Sequence, residues 1–298
     1  MSSLSECIPW MTVGLAECVA TVTLNLCTII SFMRNRNLRK RSTYLVINLA
    51  VIDMFVGGAV VYYLFYRPGV DCNLWQRHII YYTGTNIFIE VLKSLFPIAS
   101  LTNITMIALE RVHATFFPFK HRVLKKWVYG LIIAVVWAAS GLALVSYRLL
   151  VLFGKRQTVT YSRFTFLSVC LLIICVSYTS IAIKVCCGEK PKHHGAASRE
   201  RKLTMTLFIV TVVSLLLYVP NVVFFFASSL SKSKIHWPVL NHVEYTLVSL
   251  FFANSLVNPI LYAIRMPEYR SAFLVLFRRR AQQQRQVAVL TLLDMYRR

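Results

Sequence analysis

Apolar residues run along this chain in long blocks, cut by short stretches rich in lysine and arginine. Seven blocks can be drawn, at roughly 9–33, 43–66, 78–110, 127–149, 161–185, 203–229 and 239–264. Each supplies the roughly 20 residues that an α-helix, rising about 1.5 Å per residue, needs to cross a bilayer core of about 30 Å. The pattern predicts an all-α membrane protein, a seven-transmembrane helix bundle forming a single domain over 1–298, with 1–8 a short outer segment. No internal repeat or low-complexity segment interrupts it, and the connections are short.

Composition agrees. Of 298 residues, 57% are apolar and 15% charged, with a mean hydropathy of +0.60, too apolar for a water-soluble domain. Basic residues fall unevenly between the two sides. Arg34, Arg36, Arg39, Lys40 and Arg41 share a side with Lys120, Arg122, Lys125 and Lys126, with Lys190 to Lys202, and with the tail from Arg265. This bias predicts an extracellular amino terminus and a cytoplasmic tail. It also accounts for the net charge of +22 without nucleic acid, because cations at cytoplasmic helix ends meet anionic lipid. The opening MSSLSECIPW is too brief for a cleaved signal, so the first span is expected to act as its own insertion signal. Cys7 and Cys72 both fall near the outer side, either paired in a disulfide or left as thiols. No spacing suggests a zinc site, and the N-x-T match at Asn103 lies inside a span, where it would stay unglycosylated.

Polar groups inside these spans are costly and need partners or a hydrated cavity. Asn25 sits in the first span, Asp53 in the second, Ser100 and Asn103 in the third, and Asn254, Ser255 and Asn258 in the seventh. The last three are one, three and four apart, so they share a helix face that could meet Asp53. Two readings stay open: hydrogen-bonded glue between helices, or a small cation site or proton-linked switch around a buried carboxylate. Pro220 and Pro259 each remove a backbone donor inside a span and predict bends.

With these residues in place the chain resembles the rhodopsin-like G-protein-coupled receptors over essentially its whole length. Glu110-Arg111-Val112 looks like that family's acidic-Arg-aromatic motif, and Asn25, the NLAVID run ending at Asp53, Trp137, Tyr178, Pro220, Asn258-Pro259 and Tyr262 follow in order. The resemblance implies a non-enzymatic plasma-membrane receptor that passes an extracellular signal to a heterotrimeric G protein. It implies that Arg111 pairs with Glu110 and reaches Glu200, that Phe119 inserts into the G protein, and that Tyr178, Tyr218, Pro220, Asn258, Pro259 and Tyr262 belong to the activation switch. It implies no cofactor beyond a sodium ion held by Asp53, Ser100, Asn254, Ser255 and Asn258. The stretch MPEYRSAFLVLF, with Tyr269, Phe273, Leu274 and Phe277 on one face, looks like the family's short amphipathic eighth helix, expected over 267–277 and followed by a cytoplasmic tail over 278–298.

Departures narrow the placement. Asn86 stands where most members have a disulfide cysteine, no cysteine occurs between Tyr147 and Phe166, and Cys170 replaces a usual proline. These features resemble the branch of melanocortin, cannabinoid, lysophospholipid and adenosine receptors. Tyr218 replaces a common tryptophan, altering the expected switch. Lys93 falls where amine receptors keep an aspartate, which disfavours an amine ligand. It either receives an anionic ligand group or is neutralised internally by Glu90 or Glu244. Tyr63, Tyr66, Phe224, Phe225 and Tyr245 would surround it, an aromatic cavity for a lipid, small peptide or small molecule. An ion channel or transporter is the competing class, opposed by the lack of inverted repeats and of a filter-like loop. An intramembrane enzyme is more distant, because no H-E-x-x-H or Ser/His arrangement occurs.

Overall fold

The structure is a computed structural model. It describes residues 4–35, 43–74, 91–187, 205, 208–209, 212–214, 216–224, 226–227, 237–265 and 269–275. Helix α1 spans Leu4–Arg34 and α2 spans Thr43–Val60, its axis continuing through a π-helical turn (Val61–Tyr66) and a last turn (Arg67–Asp71). A second π turn (Val91–Leu95) leads into α3 (Phe96–Phe116). Then come α4 (Lys126–Leu152), α5 (Arg156–Cys187), α6 (the helical residues between 205 and 227), α7 (Trp237–Arg265) and α8 (269–275). Apart from α3, α6 and α8 these helices are long and apolar enough to cross a membrane, and α6 contributes an apolar stretch, Val212–Phe224.

Each π turn lies just before a proline, Pro68 or Pro97. In a regular α-helix the proline ring would clash with the carbonyl four residues back, and the wider π turn leaves it room. The first, second, fourth, fifth and seventh spans read from hydropathy are recovered with longer ends, while 78–90 of the third and parts of 203–229 of the sixth lie outside the described residues. Helix α1 starts at Leu4, so the expected outer segment 1–8 is mostly helix, and the chain stays helical through Pro9. That turn is pinned by a Cys7–Cys72 disulfide, Cα atoms 6.4 Å apart, and by Trp10, whose indole donates to His242 Nδ1 at 2.9 Å. The open choice between disulfide and thiols is thus settled as a disulfide joining α1 to the end of the α2 segment.

Helix α3 is central, packing on α2, α4 and α5, while α1 lies along α2 and α7. Close approach of α1 to α2 needs two glycines. A Cβ on Gly14 would stand 2.5 Å from Leu64 Cβ, and one on Gly57 2.9 Å from Val22 Cγ2. Helices α4 and α5 are joined by only Phe153, Gly154 and Lys155. Gly154 takes φ +71°, a conformation glycine adopts at no steric cost, and its N–H and that of Lys155 cap the Val151 and Leu150 carbonyls at 3.0 and 2.9 Å. The core divides along the bundle axis. One cluster, around Leu49, Ile104, Ala108, Ile174 and Tyr178, fills the half toward Arg111; another, around Val60, Leu64, Val248 and Phe252, fills the half toward the disulfide. Large apolar side chains such as Leu131, Leu142 and Leu149 of α4 face outward, as lipid-facing residues must. Tyr269 of α8 is fully buried, its ring 5.5 Å from that of Phe32 and its hydroxyl 2.8 Å from Thr28 Oγ1, so α8 is docked on α1.

Candidate functional site

Asp53, 0% exposed, sits where α2, α3 and α7 meet. Ser100 and Ser255 hydroxyls donate to its Oδ1 at 2.8 and 2.9 Å, and the Asn258 amide donates to Oδ2 at 2.8 Å. The three-residue spacing of Ser255 and Asn258 on α7 is what brings both to one carboxylate. Asn254 points elsewhere: its amide donates to the Tyr218 hydroxyl of α6 at 2.9 Å. Among the described residues the buried Oδ1 atoms of Asn254 and Asn258 have no hydrogen-bond partner. Asn25 ties α1 in by donating to the Ser255 carbonyl at 2.9 Å. Below this cluster a relay crosses three helices. Trp137 donates to Asn48 Oδ1 at 3.2 Å, Asn48 to Asn103 Oδ1 at 2.9 Å, and Asn103 to the Leu45 carbonyl at 3.0 Å.

At the far end of α3, Arg111 is 0% exposed and forms a salt bridge with Glu110. The other Glu110 oxygen lies 2.7 Å from His121 Nε2 and accepts from the Tyr129 hydroxyl at 3.2 Å. His121 comes from a short helix, Pro118–Val123, whose Phe119 is 81% exposed. Nearby, Tyr178 packs on Phe208 of α6, ring centroids 5.3 Å apart, and Tyr262 on Tyr269, 6.1 Å apart.

In the disulfide half, a cavity of about 540 Å³ opens between α2 to α7, walled by Tyr63, Ile98, Tyr147, Arg163, Asn221 and Phe251, one from each helix. Its size is that of a small-molecule site, for which roughly 300–1,000 Å³ is usual. Two of its charges cancel: Arg67 grips both Glu244 oxygens, the second contact at 3.1 Å. Beside them Tyr245 donates to Asp71 Oδ2 at 2.6 Å. The Phe251 ring meets Tyr218 edge-on at 4.8 Å, so the cavity wall touches the residue that holds Asn254.

A sequence model of the 7 transmembrane receptor (rhodopsin family) matches residues 24–262. The chain belongs to the rhodopsin family of seven-transmembrane receptors. It is 23% identical to the substance-K receptor of Mus musculus over 90% of this chain and 75% of that protein. It is 27% identical to melanopsin of Rattus norvegicus over 83% of this chain and 57% of that protein. The protein is therefore a G-protein-coupled receptor, a multi-pass membrane protein that couples an extracellular ligand to a G protein, and not an enzyme; family membership favours this over a channel or transporter.

Within this receptor the residues expected to act together are gathered unevenly. Asp53, Ser100, Ser255 and Asn258 converge, while Asn254 joins the group through its neighbour and through Tyr218. Tyr63 and Glu244 line the cavity, whereas Tyr66, Phe224 and Tyr245 are not among its walls. Glu244, one of the two internal partners considered for Lys93, is engaged by Arg67, whose side chain reaches it from the last turn of the α2 segment. Glu90, Phe225, Glu200 and the Lys93 side chain lie outside the described residues. The sequence reading passed over His121, Tyr129, Arg67 and Arg163. Arg163, seven residues inside α5 and exposed, carried the one available signal: a cation within the outer end of an apolar span needs a reason to be there.

Proposed function

We propose that this receptor takes its extracellular ligand into the cavity between α2 and α7 and transmits occupancy through Phe251, Tyr218 and Asn254 to Asp53, and on to Glu110 and Arg111. The observation that carries the reading is near-contiguity: the cavity wall at Phe251 touches Tyr218, Tyr218 accepts from Asn254, and one residue further along α7 Ser255 donates to the buried carboxylate of Asp53. The mostly apolar and aromatic walls suit a lipid, small peptide or small molecule with an apolar body. The short turn at Gly154 and the lack of cysteine there support the melanocortin-, cannabinoid-, lysophospholipid- and adenosine-receptor branch. In this reading the disulfide end and the amino terminus face outward at the plasma membrane. The tail is cytoplasmic, and the basic helix ends meet anionic lipid. Arg111, with Glu200 as its further partner, closes the G-protein cleft, and Phe119 projects toward the G protein.

The Asp53 cluster fits a sodium ion. Two buried amide oxygens without partners, Asn258 Oδ1 on a residue bonded to the carboxylate and Asn254 Oδ1 on the residue before Ser255, accompany a buried carboxylate and two hydroxyls, an all-oxygen set suited to a hard cation. Such an ion would neutralise Asp53 and favour the state in which α7 stays against α2. Sodium is therefore expected to lower agonist affinity in the wild type and to have no effect in Asp53→Asn. Equal sodium dependence in both would remove the ion from this site.

Ligand-dependent nucleotide exchange on a panel of G proteins, with purified receptor and a library that includes substance K, tests the whole reading. Activation abolished by filling the cavity with Ile98→Trp supports it. Activation unaffected by that change would place the ligand elsewhere.

A further inference from the structure

We propose that Arg163 is the anchor for an anionic ligand: the site recognises a molecule with one acidic group and an apolar or aromatic body. The inference rests on the cavity being the ligand site and adds the charge of what enters it. Three described charged side chains line the cavity, Arg67, Glu244 and Arg163. Arg67 and Glu244 satisfy each other through both carboxylate oxygens, so neither offers a free charge to a ligand. Arg163 has no carboxylate partner among the described residues. Its guanidinium lies over the ring of Tyr147, 5.2 Å from the centroid, within the range of a cation–π contact. Tyr147 is itself buried and lines the same cavity.

This stacking is what turns a cation in a span into a ligand group. A ring face attracts the guanidinium but supplies no strong hydrogen-bond acceptor, so the N–H fork stays available for a carboxylate or phosphate. Arg163 is itself exposed, while Phe164, Phe226, Val248 and Phe252 line the same cavity, so an anion reaching from the guanidinium to these apolar walls would lose part of its water, which strengthens the charge-assisted bond. The Arg67–Glu244 pair sets the selectivity further. An amine would have to displace Arg67 from a two-point contact, whereas an acid meets Arg163 directly.

The test measures binding to purified receptor in lipid nanodiscs through ligand-induced thermal stabilisation, using acids matched with neutral partners. The pairs are oleate with methyl oleate, lysophosphatidate with its monoacylglycerol, and 1-naphthylacetate with 1-naphthylacetamide. At least one acid is expected to bind about tenfold or more tighter than its partner, as one charge-assisted contact provides. The pair that shows this tells a lipid carboxylate, a phosphate and an aromatic acid apart. Arg163→Gln is expected to erase the preference while leaving the neutral partner's affinity unchanged, and Arg163→Lys to keep part of it. Tyr147→Leu, which removes the ring under the guanidinium, is expected to weaken the acid severalfold and serves as the second variant if Arg163→Gln does not fold. An acid preference that is absent in the wild type, or that survives in Arg163→Gln or Tyr147→Leu undiminished, overturns the proposal. Ile98→Trp separates it from the cavity reading. If both members of a pair bind that variant as they bind the wild type, the cavity itself is not the site, whatever Arg163 does.

Discussion

Glu110 is shared among Arg111, His121 and Tyr129, so its carboxylate holds together α3, α4 and the short helix that carries Phe119. Only the first partner was legible in the sequence, because it is adjacent. His121 and Tyr129 are 11 and 19 residues away and meet Glu110 through the turn at Phe117, which no local pattern announces. The same holds for Arg67 and Glu244, separated by 177 residues. By contrast the Asp53 cluster could be read in advance, since helical spacing alone puts Ser255 and Asn258 on one face and cost forbids leaving a carboxylate alone in a bilayer. The ladder around Glu110 yields a graded prediction. Glu110→Gln keeps the volume but removes the charge facing Arg111, and should raise basal nucleotide exchange. A bias of about 1.4 kcal/mol toward the active state multiplies its population about tenfold. Tyr129→Phe removes a neutral donor worth about 1 kcal/mol and should act in the same direction but more weakly. Both are measured at matched surface expression, and basal exchange equal to wild type in Glu110→Gln would mean that the pair does not hold the receptor closed.

Among the elements, hydropathy located the five described helices long enough to cross a membrane but misjudged their ends, for physical reasons that differ from helix to helix. Pro9 marked the start of the first block, yet α1 begins at Leu4 because the disulfide and Trp10 fasten its first turns to α2 and α7. The second span overruns its expected end because the π turn accommodates Pro68 instead of stopping at it. Neither effect has a signature in polarity. The contact between α1 and the π turn depends on Gly14, and it can be tested by one methyl group. Gly14→Ala places a Cβ 2.5 Å from Leu64 Cβ and 3.0 Å from its carbonyl carbon, so the helices must separate. Overpacking of this kind costs about 1–3 kcal/mol. Gly141→Ala in α4 meets nothing within 4 Å and is the matched control, expected to leave stability unchanged or slightly raised. Thermal denaturation of the two variants in one detergent decides the matter: equal midpoints would show that α1 and the π turn are not held at the distance described.

For the molecule as a whole, the two halves of the bundle are built for different work. The disulfide half encloses a cavity and is tied by the Arg67–Glu244 ion pair and a covalent bond, while the Arg111 half carries the apolar cluster around Leu49, Ile104 and Ala108. A signal that crosses from one to the other must end on something that a partner can feel. Phe119 is the best placed group: at 81% exposure it is the most exposed large apolar side chain described, and it stands on the short helix whose His121 contacts Glu110. Burying a phenylalanine fully contributes about 1.5–3 kcal/mol, so its insertion into a G protein would be worth about ten- to a hundredfold in affinity. Phe119→Ala should therefore weaken G-protein engagement by about that factor, and Phe119→Leu should restore most of it. Ligand binding without G protein and the thermal midpoint should stay unchanged, since an exposed side chain supports little of the fold. Anchoring in lipid is the competing role for an apolar side chain at a helix end. Measuring the dissociation constant for the G protein in detergent, where no bilayer exists, separates the two. A loss of affinity that persists there belongs to the protein contact, and affinity equal to wild type in Phe119→Ala would assign the residue to the membrane.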